Sequence, residues 1–191
     1  RVDGIGARES SRSLRKTVER GLEVRQVRSS ITVLAWVVSL LLWGSWAAAA
    51  PRAAVGQELP SFTLKALNPD VAGATYVKTA SLVGAQGANK AALISFFATY
   101  CEPCKKEMPF LKALQESYRD AGLQVVLVSI DTDATEIEAV KDLAVKNGLT
   151  FPVLSDRFNI VAKRYQVTEL PCVYTASEDA IIQTIHTGYG E

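Results

Sequence analysis

The sequence predicts an α/β fold in which a β-sheet carries helices on its faces. Two continuous apolar runs, at 91–98 and 123–130, have the composition of strands that are buried on both faces of a sheet. Each run is followed by a stretch in which apolar residues recur with the helical period, at 103–120 and 135–147. Because strand and helix alternate in this way, the two runs are predicted to be strands of one sheet.

Shorter patterns predict the remaining elements of the domain. Residues 61–67 alternate apolar and polar side chains, as a half-buried strand does, and residues 76–78 are expected to pair with them. Gly122 and Gly148 mark the ends of the first two helices. The last predicted elements are a short extended piece at 152–154, a third helix at 157–165, and a closing hairpin of strands 172–175 and 180–185 around a polar turn at 176–179.

Charge is distributed unevenly along a chain that has 21 basic and 20 acidic side chains among 191 residues. Residues 1–30 carry a net charge of +4, residues 31–50 carry none, and residues 51–191 carry −3. The overall near-neutrality excludes a disordered polyelectrolyte and gives no support for nucleic-acid binding. Three cysteines are too few for a small domain held together by disulfides, and one histidine is too few for a His-rich metal site.

The first fifty residues have the pattern of a membrane-targeting segment. A basic stretch at 1–30, expected to be mobile, precedes the uncharged apolar stretch at 31–50, which as a helix would extend about 30 Å and could cross a bilayer. The basic side is expected to stay in the cytoplasm, so that the rest of the chain is exported. Two outcomes stay open: cleavage in the alanine run at 47–50, or retention of 31–50 as a membrane anchor. Residues 51–57 are predicted to be a linker, and 58–191 a single domain.

Cys101 and Cys104 form a C-x-x-C pair between a buried strand and the helix that follows it. This spacing places both thiols on the first helical turn, where they can close a disulfide. Unpaired N–H groups at a helix start stabilise a thiolate on Cys101, which lowers its pKa and makes it the nucleophile. Cys104 lies deeper and is predicted to resolve the mixed disulfide, while Pro103 suits an early helical position. The pattern therefore predicts thiol–disulfide exchange.

The cysteine pair is also compatible with two other roles, as part of a metal site or as a structural disulfide. A metal site would need further ligands, and Cys172 and His186 would complete a set of three cysteines and one histidine. An inert structural disulfide is the second alternative, although so short a loop removes little chain entropy. The position after a buried strand favours exchange over both, so no metal and no cofactor are predicted.

Residues 96–109, Phe-Phe-Ala-Thr-Tyr-Cys-Glu-Pro-Cys-Lys-Lys-Glu-Met-Pro, resemble the exported thioredoxin-like proteins of the TlpA/ResA type. The resemblance extends over about 57–190 and includes Pro109 and a Leu-Pro dipeptide before a late strand. It implies a thioredoxin-like fold with a central mixed sheet, and a thiol–disulfide oxidoreductase that acts on protein disulfides outside the cytoplasmic membrane. Members of that family end in a helix that covers the sheet. The sequence stops before such a helix, so either an incomplete fold or an exposed sheet face is expected.

The resemblance also assigns roles around the cysteine pair. Pro171 is implied to follow a cis peptide bond beside the pair, where it and Leu170 expose backbone groups to an extended substrate segment. Tyr100 precedes Cys101, Glu102 and Pro103 lie between the two cysteines, and all three are expected to contact the substrate. Tyr100 occupies a position where the family usually has tryptophan.

Acidic side chains are expected to tune the thiols. Glu102 places a negative charge between them, which destabilises a thiolate and makes a weaker oxidant. Ordinary thioredoxins carry a buried acid at the position of Ser95, so another group must manage the proton on Cys104. Glu107 matches the acidic position that tunes the thiols in ResA-like members. Alternatively, Glu107 is an ordinary solvent-exposed charge on the helix surface. The protein is therefore predicted to be a reductant rather than a strong oxidase.

The resemblance implies disulfide-bonded partner proteins, for example in cytochrome c or copper-centre maturation, and a membrane thiol carrier that supplies electrons. Cys172 is interpreted either as a small buried side chain or as a third thiol near the pair. The alternative functions are a copper or zinc metallochaperone and a thiol peroxidase. The peroxidase is disfavoured because the Pro and Thr of its framework correspond to Ile94 and Ala98 in this sequence.

Overall fold

The computed structural model describes residues 53–188, in which a seven-stranded sheet carries helices on both faces. The strands are β1 (Thr63–Ala66), β2 (Tyr76–Lys78), β3 (Ala91–Phe97), β4 (Leu123–Ser129), β5 (Val153–Ser155), β6 (Cys172–Ser177) and β7 (Ile182–Thr187). The helices are α1 (Pro69–Ala72), α2 (Thr79–Leu82), α3 (Glu102–Tyr118), α4 (Ala134–Lys146) and α5 (Ile160–Arg164). The predicted α/β class and mixed central sheet are confirmed.

The sheet brings the ends of its three parallel strands to one edge. Its strand order is β2-β1-β5-β4-β3-β6-β7, with β3, β4 and β5 parallel and the other neighbours antiparallel. Phe97, Ser129 and Ser155, each the last residue of its strand, are paired in register across the sheet. We call this side of the sheet the carboxyl edge. The turn that leads to the cysteine pair starts there, because Cys101 follows β3.

Two apolar layers hold the sheet between the helices. One layer packs α3 and α4 on the sheet through residues such as Met108 and Val140. The other layer packs α2 and α5 on the opposite face and contains the aromatic group of Phe96, Tyr165 and Tyr174, whose ring centroids lie 5.1 to 6.0 Å apart. β3 and β4 contribute side chains to both layers, which is why their sequences are apolar without alternation.

The helix that carries the cysteine pair has clear start and stop signals. Cys101 is its N-cap residue, Pro103 lies in its first turn, and its apolar face is buried through Cys104, Met108 and Leu111. The chain then turns at Gly122, whose φ of +97° lies in the left-handed region that favours glycine. A side chain at this position would also meet the backbone of Lys90 at 3.2 Å.

The third helix is shorter than the predicted 157–165 and begins at Ile160. Asn159 has a left-handed φ of 54°, and the carboxylate of Asp156 accepts hydrogen bonds from the amides of Ile160 and Ala162, so the chain cannot be helical before residue 160. The closing turn also lies later than predicted, because β6 continues to Ser177 and β7 starts at Ile182. The short helices α1 and α2 were not predicted, since each has only four residues and no periodic pattern.

The described region begins inside the segment that was predicted to be a linker. Residues 53–57, in the segment predicted as a linker, pack against the domain: Ala53 is buried, and the Gly56 amide donates to the carbonyl of Ile182 at 2.9 Å. No helix within residues 53–188 is long and apolar enough to cross a membrane. The predicted segments 1–30 and 31–50 lie outside the described residues. On the α3 side of the sheet, Thr184 and His186 of β7 are exposed within the described residues.

Candidate active site

The cysteine pair lies at the carboxyl edge, on the turn between β3 and α3. Its two sulfur atoms form a disulfide of 2.04 Å, with Cα atoms 5.3 Å apart. The Cys101 sulfur also accepts a hydrogen bond from the Cys104 amide at 3.2 Å, which makes it the cap of the helix N-terminus. Both residues are buried, Cys104 more completely than Cys101. The sulfur nearer the surface is therefore the one that receives the stabilisation of the helix start.

The residues predicted to contact substrate are at the surface around the pair. Tyr100 is 69% exposed, and Glu102 and Pro103 are also exposed. The Glu102 carboxylate pairs with Lys105 at 2.7 Å, so a cation one helical turn away partly offsets its charge. Because both members of this pair are exposed, the pairing is weak and easily screened by salt.

The Leu170-Pro171 dipeptide also lies at the carboxyl edge. It directly precedes β6, the strand that pairs with β3 on the side away from β4. Its peptide bond is cis, as the resemblance implied. The next residue, Cys172, pairs with Phe96 in the antiparallel β3–β6 ladder, which places the dipeptide beside the end of β3. The Pro171 carbonyl accepts a hydrogen bond from the Gly188 amide at 2.9 Å. Leu170 is half-buried and contacts both core layers.

Glu107 lies one helical turn beyond Cys104 and faces the sheet. One of its carboxylate oxygens accepts a hydrogen bond from the buried Ser95 hydroxyl at 3.1 Å. Burial raises the pKa of Glu107, while the Ser95 hydrogen bond and the charge of His186 act in the opposite direction. The side chain is therefore not the solvated helix charge of the alternative interpretation. It is a partly buried carboxyl group that contacts Ser95 on the α3 side of the sheet.

Replacing Glu107 with glutamine is expected to change how stability depends on pH. The folded state binds the proton of Glu107 more tightly than the unfolded state, so this contribution is complete below the ordinary pKa of 4.5 and is lost as the pH rises through the raised value. The Glu107→Gln variant has no titrating group at this position, so it does not lose this stability as the pH rises. Denaturant unfolding of the oxidised chain between about pH 4 and about pH 7 should show the variant gaining stability relative to the wild type as pH rises.

Glu116→Gln is the matched control for this measurement, because Glu116 is exposed on the same helix. Its difference from the wild type should stay flat over the same pH range. Parallel stability profiles for the Glu107→Gln variant and the wild type would contradict a carboxyl group at position 107 whose pKa is raised by burial.

Asp131 is a site residue that the sequence reasoning missed. Its side chain is 1% exposed and accepts hydrogen bonds from the Thr99 amide at 3.0 Å, the Thr99 hydroxyl at 2.7 Å and the Ser129 hydroxyl at 2.8 Å. Thr99 lies two residues before Cys101, so this carboxylate holds the turn that leads into the cysteine pair. A charged residue directly after the apolar run of β4, a strand parallel to β3, was the available signal.

Cys172 lies on the other face of the sheet from the cysteine pair. It packs in the layer of Phe96 and Tyr174, whereas Cys101 and Cys104 pack in the α3 layer. Burial raises the pKa of its free thiol, which disfavours the thiolate, and the side chain is 1% exposed. This placement matches the interpretation of Cys172 as a small buried side chain and not as a third active thiol.

The ligands considered for a metal site are not brought together. His186 pairs with Val173 on β6, and its side chain lies on the α3 face of the sheet, opposite to the face where Cys172 packs. Across residues 53–188, no three side chains among His, Cys, Asp and Glu are arranged to hold a metal ion.

A C-x-x-C disulfide that caps a helix at the carboxyl edge of this mixed sheet defines a thioredoxin-like thiol–disulfide oxidoreductase. The chain belongs to the AhpC/TSA family, whose model matches residues 55–185. The resemblance to ResA-type proteins is confirmed by two relatives. The chain is 38% identical over 133 residues to the thioredoxin-like protein YneN of Bacillus subtilis, covering 70% of this chain and 71% of YneN. It is 34% identical over 134 residues to the thiol-disulfide oxidoreductase ResA of Oceanobacillus iheyensis, covering 70% of this chain and 65% of ResA.

Solved structures support the fold independently of close sequence identity. The DsbE-like thiol:disulfide interchange protein of Chlorobium tepidum superposes with a TM-score of 0.62 at 21% identity, over 72% of this chain and 87% of that one. At this identity the similarity shows the fold alone. The thioredoxin-like fold named by the resemblance is thereby confirmed.

Proposed function

We propose that the protein reduces disulfides in partner proteins outside the cytoplasmic membrane, with Cys101 as nucleophile and Cys104 as resolving thiol. The observation that carries this proposal is the Cys101 sulfur at the start of α3, where it accepts from the Cys104 amide. The same amide and helix start would stabilise the thiolate that forms when the disulfide is reduced. Burial of Cys104 keeps the second thiol away from other reactants until a mixed disulfide forms.

The reaction proceeds in two exchange steps. The Cys101 thiolate attacks one sulfur of the substrate disulfide, so a mixed disulfide forms and the other substrate sulfur leaves as a thiolate. The Cys104 thiolate then attacks the Cys101 sulfur, which releases the second substrate thiol and closes the Cys101–Cys104 disulfide. Two electrons have passed to the substrate, and a thiol donor must return the pair to the reduced state before the next turnover.

The surface around the pair supports binding of an extended substrate segment. Tyr100 and Pro103 are exposed next to the cysteines, and the Leu170-Pro171 dipeptide lies beside the end of β3. Because the Pro171 carbonyl is taken by the Gly188 amide, we assign the backbone contact with the substrate to Leu170. These residues bind the substrate segment while the Cys101 thiolate attacks the substrate disulfide.

The direction of electron flow, the compartment and the partners belong to the same proposal. Glu102 adds negative charge beside the thiols, which disfavours a thiolate and makes the pair a poorer oxidant. In an oxidising compartment a membrane thiol carrier must supply the electrons, and residues 31–50 would export or anchor the chain there. Substrates in cytochrome c or copper-centre maturation fit a reductant in this location.

A redox titration of the Cys101–Cys104 pair tests the proposed direction. We expect a potential well below the about −120 mV of strong oxidants and nearer the about −270 mV of general reductants. Glu102→Gln should make the potential less negative, because removing the charge stabilises the reduced thiolate. Glu116→Gln, the same change further along α3, should leave it unaltered. A wild-type potential near −120 mV would overturn the assignment as a reductant.

A further inference from the structure

A groove lies at the carboxyl edge of the sheet, between α4 and α5, with a volume of about 480 Å³. Basic side chains and exposed apolar side chains line it together, whereas its one lining carboxylate is turned inward. We call it the basic groove and define it by Lys65, Lys141, Arg157, Phe158, Ile160 and Arg164. None of these residues takes part in disulfide exchange at Cys101 and Cys104.

The basic groove is close enough to the cysteine pair for one protein substrate to contact both. Phe97, Ser129 and Ser155 are in register, and neighbouring strands lie about 4.8 Å apart, so the ends of β3 and β5 are separated by about 10 Å. Cys101 follows the first of these strand ends and Phe158 the second. A typical protein interface of about 800 Å² per partner spans this separation easily.

The charge of the groove is opposite to that of the domain around it. Residues 53–188 contain 12 basic and 15 acidic side chains, a net charge of −3, yet four basic side chains line this one surface. The single carboxylate among the lining residues, Asp156, is buried and accepts hydrogen bonds from the amides of Ile160 and Ala162. The groove therefore presents positive charge to a ligand.

Much of this positive charge is available to a partner. Lys141 pairs with Glu138 at 2.7 Å, and the Arg164 guanidinium donates to the Ser61 carbonyl. Lys65 and Arg157 form no ion pair within residues 53–188. An anionic ligand could therefore pair with Lys65 and Arg157 directly. It could also compete for Lys141, whose partner carboxylate is exposed, and for Arg164, whose partner is a neutral carbonyl.

The apolar part of the groove is unusually exposed for side chains of this size. Phe158 is 72% exposed and Ile160 56% exposed. The Arg157 guanidinium lies 5.8 Å from the centre of the Phe158 ring, so a cation and an aromatic face are presented together. Burying such side chains favours binding, and aromatic residues together with arginine are typical of interface centres.

We propose that the basic groove binds an acidic segment of the substrate protein, which places an aromatic or aliphatic side chain against Phe158 and Ile160 while its disulfide lies at Cys101. This inference rests on the proposed function and adds the substrate class to it. The concave shape fits a polypeptide segment better than a flat lipid surface. The chain's own residues 1–30 have a net charge of +4, which is the wrong sign for this groove.

The first test measures binding without redox chemistry. A labelled aspartate-rich peptide with a central phenylalanine and no cysteine is titrated with the oxidised full chain, and fluorescence anisotropy is recorded. The Lys65→Glu/Arg157→Glu double variant should bind about tenfold more weakly than the wild type, as should Phe158→Ala. Lys78→Glu/Lys146→Glu, with the same charge change at exposed positions outside the groove, should bind within twofold of the wild type.

The second test measures exchange, so that failure of the groove can be told apart from failure of the proposed function. The reduced full chain is given the same peptide carrying a disulfide, or a small uncharged disulfide. The groove double variant should lose about tenfold in kcat/KM on the acidic peptide only. If the wild type reduces neither substrate, the proposed function fails. If the wild type reduces both and the groove variant matches it, the groove proposal fails alone.

Two further outcomes would also overturn the groove proposal. A peptide with asparagine in place of each aspartate should bind weakly, and equal binding of the two peptides would remove the role of charge. Binding of the full chain to phosphatidylglycerol vesicles that is abolished by Lys65→Glu/Arg157→Glu, without any preference for the acidic peptide, would assign the groove to an anionic membrane surface.

Discussion

A Cys101→Ser variant is expected to lose disulfide exchange by about a thousandfold or more, because the serine hydroxyl cannot replace the thiolate that attacks the substrate. Cys104→Ser should behave differently. It keeps the nucleophile but cannot resolve, so the substrate stays attached to Cys101 as a mixed disulfide. The measurements are the rate of reduction of a peptide disulfide and the mass of the trapped adduct, mapped to Cys101 by peptide digestion.

Cys172→Ser is the matched control for these variants, since the remaining cysteine packs on the other face of the sheet. It should exchange disulfides at a rate within about twofold of the wild type, and Cys104→Ser/Cys172→Ser should still trap the substrate. If an adduct accumulated on Cys104 in the Cys101→Ser variant, at the rate seen for Cys101 in the Cys104→Ser variant, the two roles would be reversed.

An Asp131→Ala variant is expected to lose about 3 kcal/mol of unfolding free energy, the largest effect on stability that we predict at this site. The change leaves the Thr99 amide, the Thr99 hydroxyl and the Ser129 hydroxyl without their acceptor in a buried position. Denaturant unfolding measures the loss. Hydrogen exchange at the Thr99 amide should accelerate more than exchange in β3, because the turn before Cys101 loosens first.

Two companion variants separate the hydrogen bonds from a general loss of charge. Asp131→Asn keeps one acceptor oxygen and should lose less stability than Asp131→Ala. Asp120→Ala removes an exposed carboxylate and should stay within about 0.5 kcal/mol of the wild type. An Asp131→Ala variant as stable as Asp120→Ala would show that the network does not hold the turn.

The buried strands and long helices could be predicted because their patterns are local. β3, β4, α3 and α4 were predicted to within about two residues, since an apolar run or a helical period is visible in the residues themselves. The start of α5 was not, because it depends on hydrogen bonds of the buried Asp156 carboxylate and on the positive φ angle of Asn159. Such contacts leave no periodic signal.

For the site, the sequence by itself determined the chemistry: two thiols three residues apart where a buried strand meets a helix can exchange disulfides, because the helix start supplies the stabilising amides. Only the tertiary structure decided which other residues belong to the site. In the folded protein Glu107 accepts a hydrogen bond from Ser95, and Asp131 accepts one from Thr99. Cys172 packs on the face of the sheet opposite to the cysteine pair. These relations depend on strand order and on which face each side chain occupies, and residues far apart in the chain carry no mark of either.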